Sequence, residues 1–330
     1  MKTCFTSGFF LARYSGRTSW HPMAMARVLY RLDPSPLSNS HTPSPHAPTE
    51  TTRTMKYAPA FIAGIAALAV TVLTTTTFAD AVERKLVLGG SAVPRGRKSY
   101  YAGLRNTMEG RNFCGGALIS PKHVLTAANC VESDIRWVSI GSHYNNGSED
   151  GEQILVAAVI IHPNYTEPHK FSNDYAILEL AVASSIKPAK LAKADDSDFK
   201  VGAIVNVVGT GLLSEGVGAV DAHELQRVDM TLITNQECDA DGRTATDMSM
   251  VCVAGQISKG WCDGDSGGPI FIESSDDDDS GDVVIGLASW RSDGGAVHGC
   301  GRGKSLPMIN ARVSHVREWI EAIRTTSCFV

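Results

Sequence analysis

From Val87 onward the apolar positions come in short runs cut by Gly, Pro, Asn and Asp. They are residues 113–119 (FCGGALI), 123–128 (HVLTAA), 154–161 (ILVAAVII), 175–180 (YAILEL), 203–209 (AIVNVVG), 227–233 (RVDMTLI), 269–273 (PIFIE) and 283–290 (VVIGLASW). Many short strands separated by turn signals predict an all-β antiparallel barrel or sandwich. The period changes at the end of the chain, where Val313, Val316, Trp319, Ile320 and Ile323 recur at helical spacing and predict one amphipathic helix over 313–323. Residues 185–200, with Pro188, Lys190, Lys193, Asp195 and Asp196, read as a linker between two halves.

The amino-terminal third lacks this pattern. Residues 1–54 are rich in Pro, Ser, Thr, His and Arg without apolar periodicity, and are expected to be a disordered or untranslated leader. Met55 opens a second start: Lys56, an apolar run from Ala58 to Leu73, then Ala79-Asp80-Ala81. That order reads as a signal peptide over 55–81 cleaved after Ala81, the run being too short for a membrane span. Residues 82–86 then form a short pro-segment, 87–325 the folded domain and 326–330 a tail.

A chain of 330 residues that is 43% hydrophobic can fill one large core or two smaller ones. The net charge of -5 without a basic cluster excludes a nucleic-acid partner. Eight cysteines imply an oxidising compartment, so the product is expected to be secreted and extracellular, with no membrane attachment after signal cleavage. No motif calls for a cofactor or a metal. The acidic run Asp276 to Asp279 reads as a solvated hairpin tip, with a calcium site or protein-contact loop as the alternative. Asn146-Gly147-Ser148 and Asn164-Tyr165-Thr166 are glycosylation sequons, so Asn146 and Asn164 are candidate acceptors.

Chemistry is concentrated in GDSGGP, residues 264–269. A nucleophilic serine needs a tight turn that presents its hydroxyl while backbone amides face the developing oxyanion. Ser266 is the candidate nucleophile, and the amides of Gly264 and Ser266 are the candidate oxyanion donors. With VLGG (87–90), CGGALIS (114–120), LTAANC (125–130), NDYAILEL (173–180) and SW (289–290) in order, the sequence resembles the chymotrypsin and trypsin family over 87–325. The resemblance implies two six-stranded antiparallel β-barrels with the active site between them and a terminal helix. It also implies disulfides joining Cys114 to Cys130, Cys238 to Cys252 and Cys262 to Cys300. Cys328 is left over, and Cys4 lies in the leader.

The family's catalytic order is His, Asp, Ser. Asp174 and Ser266 are present, but Asn129 stands at the histidine position. A carboxamide can hydrogen-bond to both, yet it has no basic nitrogen near neutral pH to take the hydroxyl proton. His169 and His123 are the histidines that a rescue would need. The resemblance also places Gly260, Trp261, Arg291 and Met308 around the primary specificity pocket. There the family's carboxylate floor is missing, and bulky residues replace the wall glycines. Activation is in doubt as well: Leu86 precedes Val87, and cleavage after Lys85 leaves the terminus one residue long. Asp265 would then lack an ammonium partner, so that either the turn is disordered or another cation substitutes.

These departures predict an inactive protease homologue that acts by binding an extracellular protein. Within the family it is similar to the glucanase inhibitor proteins secreted by oomycete plant pathogens, with some likeness in LGGSAVPRG (88–96), which implies a plant endo-β-1,3-glucanase as partner and an effector role in virulence. The alternatives are an active secreted serine endopeptidase with an atypical base, and a binding adaptor with another partner.

Overall fold

The computed structural model describes residues 89–146, 150–214, 218–240, 242, 244–257, 259–274, 279–292, 300 and 306–326. The leader, signal peptide, pro-segment, Val87, Gly147 and Ser148 of one sequon, Asp276 to Asp278 and Cys328 lie outside the described residues.

The first barrel uses β2 (Tyr101–Arg105), β3 (Cys114–Ser120), β4 (His123–Thr126), β5 (Trp137–Ile140), β6 (Glu152–Ile161) and β7 (Ala176–Leu180), preceded in the chain by the two-residue β1 (Ser91–Ala92). They close in the order β2-β3-β4-β7-β6-β5. The period-2 rule fits β6, where Ile154 and Val156 point inward and Leu155 and Ala157 outward. A register shift between Val156 and Ala158 then turns Val159 back to the core.

After a linker carrying β8 (Lys190–Leu191), the second barrel uses β9 (Ile204–Gly209), β10 (Gln226–Ile233), β11 (Met250–Val253), β12 (Pro269–Ile272), β13 (Val283–Arg291) and β14 (Met308–Arg312). Its ring runs β9-β10-β11-β14-β13-β12 and closes because β12 and β10 both pair with β9. Strand β1 extends the edge of β10. Alternation again decides the facing: Val228, Met230 and Leu232 are buried and Asp229 is exposed. Two closed six-stranded antiparallel barrels are the architecture expected from the sequence.

The linker is more ordered than its composition suggests. Strand β8 pairs in parallel with β13, the amide of Ala189 donates to Leu118 O at 2.9 Å and that of Ala192 to Val284 O at 2.9 Å, so the segment is bonded to both barrels.

Between β10 and β11, the one-turn α1 (Asn235–Cys238) is capped reciprocally by Thr234 and Glu237 and tied to β11 by the Cys238–Cys252 disulfide. The terminal helix begins as a 3-10 turn over Val313–Val316 and continues as α2 (Arg317–Thr326). Val313, Val316, Ile320 and Ile323 are buried as their spacing predicts, and the half-buried Trp319 meets His162 of the first barrel edge-on at 5.0 Å. Among the described residues no helix is long and apolar enough to cross a membrane.

Candidate functional site

Asn129 sits in the 3-10 turn Ala128–Glu132 that follows β4, and Asp174 lies just before β7. Because β4 and β7 are paired, with Thr126 opposite Ala176, the chain delivers the two side chains to one end of the first barrel. The Cys114–Cys130 disulfide pins the turn to β3. The backbone amide of Asn129 donates to Asp174 Oδ1 at 2.8 Å and its side-chain Nδ2 donates to Oδ2 at 2.6 Å. Nδ2 also reaches the carbonyl of Ser289 at 3.3 Å, and the Ser289 hydroxyl donates to Asp174 Oδ2. Burial pushes the Asp174 carboxyl up to about 6, against the opposing pull of the Ser289 and Asn129 hydrogen bonds.

The Asn129 amide group is therefore used as a donor toward Asp174 and the second barrel. Its remaining oxygen is a hydrogen-bond acceptor but not a base at neutral pH. The Ser266 hydroxyl, partly exposed, has no hydrogen-bond partner among the described residues. Among the described residues neither His123 nor His169 makes a hydrogen bond to Asp174 or Ser266. His123 is buried at the opposite end of β4, where Nδ1 shares a 2.7 Å hydrogen bond with Ser120 Oγ and burial lowers its pKa. His169 is exposed, and its backbone amide bonds Ser172 Oγ.

The Ser266 turn is closely built. The amide of Asp265 donates to Cys262 O at 3.0 Å, that of Gly268 to Asp265 O at 2.9 Å, and that of Gly115 in β3 to Ser266 O at 2.7 Å. Gly264 adopts φ +93°, and a Cβ there would lie 2.9 Å from Gly211 Cα, so the turn requires glycine on both counts. The amides of Gly264 and Ser266 donate to no described residue, which suits an oxyanion-binding pair. The buried Asp265 accepts from the amide of Gly211 at 2.7 Å through Oδ1 and from that of Cys262 at 2.8 Å through Oδ2. Burial pushes its carboxyl up to about 6, outweighing the two amides and the Arg291 charge. The turn is ordered, and two backbone amides hold the carboxyl directly while the Arg291 charge acts on it.

Gly260, Trp261, Arg291 and Met308 are brought together and filled in. Met308 faces Arg291 across the β13–β14 pair. Its methyl and sulfur lie against Gly260, where a Cβ would come within 2.1 Å of Cε and 2.8 Å of Sδ. The Arg291 guanidinium lies 5.4 Å from the Trp261 ring centroid and bonds Asp263 Oδ1 at 3.0 Å. Trp261 and Met308 are each 2% exposed, so side chains of the protein itself occupy the space that the resemblance assigns to a substrate side chain. Cys262–Cys300 is the third disulfide.

Sequence reasoning did not foresee Ser289 as the second-barrel partner of Asp174, nor the pairing of Arg291 with Asp263; no local pattern marks either. Asn146 and Asn164 are both exposed. Among the described residues no group of three or more His, Cys, Asp or Glu is placed to hold a metal ion.

Comparison with known proteins agrees with this geometry. Residues 87–320 match the family model described as Trypsin. Glucanase inhibitor protein 3 of Phytophthora infestans is 42% identical over 264 residues, which cover 79% of this chain and 97% of that protein. Glucanase inhibitor protein 1 of Phytophthora sojae is 40% identical over 273 residues, covering 82% and 99%. Brachyurin of Leptuca pugilator is 32% identical over 214 residues, covering 63% and 86%. With two closed barrels, the serine turn between them and a family match over most of its length, the chain belongs to the trypsin family.

Proposed function

We propose that this protein is a secreted, catalytically inactive serine protease homologue that acts by binding, as an inhibitor of a host endo-β-1,3-glucanase and thus as an extracellular effector. The observation that carries the reading is the pair of hydrogen bonds from Asn129 to Asp174: the base position is occupied by a donor, and among the described residues no group bonds the Ser266 hydroxyl to take its proton. Loss of the base costs a factor on the order of 10⁴ to 10⁶ in turnover. The side chains of Met308, Arg291 and Trp261, packed together where a substrate side chain would enter, support the same conclusion. The target is supported by the relatives named glucanase inhibitor proteins, which this chain matches over nearly their whole length.

The test titrates the secreted protein against a purified plant endo-β-1,3-glucanase hydrolysing laminarin, with peptide hydrolysis followed in parallel. Stoichiometric loss of glucanase activity with no peptide cleavage is the expected result. Efficient peptide turnover, or full glucanase activity at saturating protein, removes the reading.

A further inference from the structure

Residues 162–173 run from the end of β6 to Asp174 in a shape fixed at many points. The amide of Thr166 donates to Ser172 O at 2.9 Å, that of Ser172 to His169 O at 3.0 Å, and Asn173 Nδ2 to Glu167 O at 2.8 Å. The far end is fastened to the second barrel, where the Asn173 amide donates to Ser249 Oγ at 2.9 Å and the Ser172 hydroxyl to Asp247. Thr166, Phe171 and Asn173 all hold positive φ, at 69°, 66° and 53°. Non-glycine residues stay in that region only where the surroundings over-determine it.

This fixed loop presents an aromatic ring and a cation together. Phe171 stacks on Trp290 with ring centroids 5.9 Å apart and planes at 25°, and the ammonium of Lys170 stands 4.9 Å from the Phe171 centroid. Trp290 directly follows Ser289, the partner of Asp174, so the tip packs beside the residue that bonds the Asn129–Asp174 pair. Lys170 is exposed and makes no ion pair among the described residues. Asp247, the acid to which the loop is tied, is taken up by the hydroxyls of Ser172 and Ser249 and the Ser249 amide. Among the described residues no carboxylate pairs with the outward charge of Lys170.

Resting on the glucanase reading above, we propose that the Lys170–Phe171 tip is the docking element and that its occupant is the substrate cleft of the glucanase. A glycoside hydrolase carries paired carboxylates flanking the scissile bond. A rigid loop offering an ammonium over an aromatic ring is complementary in charge to such a cleft. Its fixed shape reduces the ordering cost of binding. Inhibition is then competitive with the polysaccharide.

The experiment measures inhibition of a purified plant endo-β-1,3-glucanase on laminarin by the wild-type protein, Lys170→Glu, Lys170→Ala and the remote control Lys200→Glu, with thermal unfolding of each. Competitive inhibition by wild type is expected, weakened at least about thirtyfold by Lys170→Glu. Lys200→Glu should stay within about twofold of wild type, and all unfolding midpoints should coincide, because exposed substitutions away from special contacts change little. Replacing one cleft carboxylate of the glucanase by its amide, read by calorimetric binding because that variant no longer hydrolyses laminarin, should weaken binding of wild type while costing Lys170→Glu nothing further, the non-additivity of a direct pair. Wild-type inhibition that is non-competitive, or unchanged in Lys170→Glu, overturns the docking role while the inhibitor reading stands. No inhibition by wild type overturns both.

Discussion

Asn129 donates to both carboxylate oxygens of Asp174, through its backbone amide to Oδ1 and its side-chain amide to Oδ2. A histidine in that place would spend one ring nitrogen on the carboxylate and keep the other for the serine; asparagine spends its donors and keeps no base. On the proposed reading two defects act in series, the lack of a base at Asn129 and the packed side chains around Met308, and they separate by probe size. Asn129→His should raise the rate at which a small fluorophosphonate labels Ser266 by about a hundredfold or more, since a positioned base contributes roughly 10² to 10⁴. It should leave peptide substrates uncleaved. Efficient peptide hydrolysis by this variant would show that the space beside Gly260 is not closed.

Met308 has its methyl and sulfur packed against Gly260 and its backbone opposite Arg291. Met308→Ala removes that buried volume and should destabilise the protein by about 2 to 5 kcal/mol, the usual cost of truncating a buried methionine. Urea unfolding measures it. A loss below about 1 kcal/mol would mean that the side chain is not a packed part of the core.

Alternation made β6 and β10 legible, and the short apolar runs marked six further strands. Strands β2, β5, β11 and β14 were not marked, and β2 and β14 each bury a polar side chain satisfied by partners both near and far along the chain. Arg105 in β2 is buried, with Nε donating to Asn112 Oδ1 at 2.7 Å and a terminal nitrogen to Gln153 Oε1 at 2.8 Å. Asn310 in β14 is buried, with Nδ2 donating to Val251 O and Met308 O. A hydropathy pattern counts such residues as exposed. The site divides in the same way: the motifs marked Asn129, Asp174 and Ser266, whereas Gly211, 54 residues from the Asp265 it holds, carries no local signal.

Lys98 is another buried charge with a defined set of partners. Its ammonium, 2% exposed, lies 2.8 Å from Asp282, 2.9 Å from Glu273 and 3.3 Å from Asp279, and Asp282 also accepts the Tyr100 hydroxyl at 2.9 Å. Lys98→Met strands the buried Asp282 carboxylate and should cost about 3 to 5 kcal/mol. Adding Asp282→Asn should return a large part of that loss. Chemical denaturation of the two single variants and the double variant checks the cycle; additive losses would deny the pairing.

Asp174 gives a pH dependence of definite sign. Its folded pKa is pushed up to about 6 by burial, against 3.8 for the ordinary carboxyl. Below about pH 4 the group is protonated in both states and contributes no difference. Between about 4 and 6 the unfolded chain loses its proton first, so the folded state binds more protons and this residue's contribution to stability falls as pH rises; above about 6 the penalty is constant. Asp265, also near 6, slopes the same way. His162, lowered to about 4 by burial and the His315 charge, slopes the opposite way, its contribution being lost as pH falls from about 6.5 to 4. Both act equally in wild type and in Asp174→Asn and cancel in the difference. The stability of Asp174→Asn relative to wild type should therefore climb between pH 4 and 6 and level off above 6, as read from unfolding midpoints at half-unit intervals. A flat difference, or one that falls across that window, would mean that Asp174 is not held in the poorly solvated setting described for it.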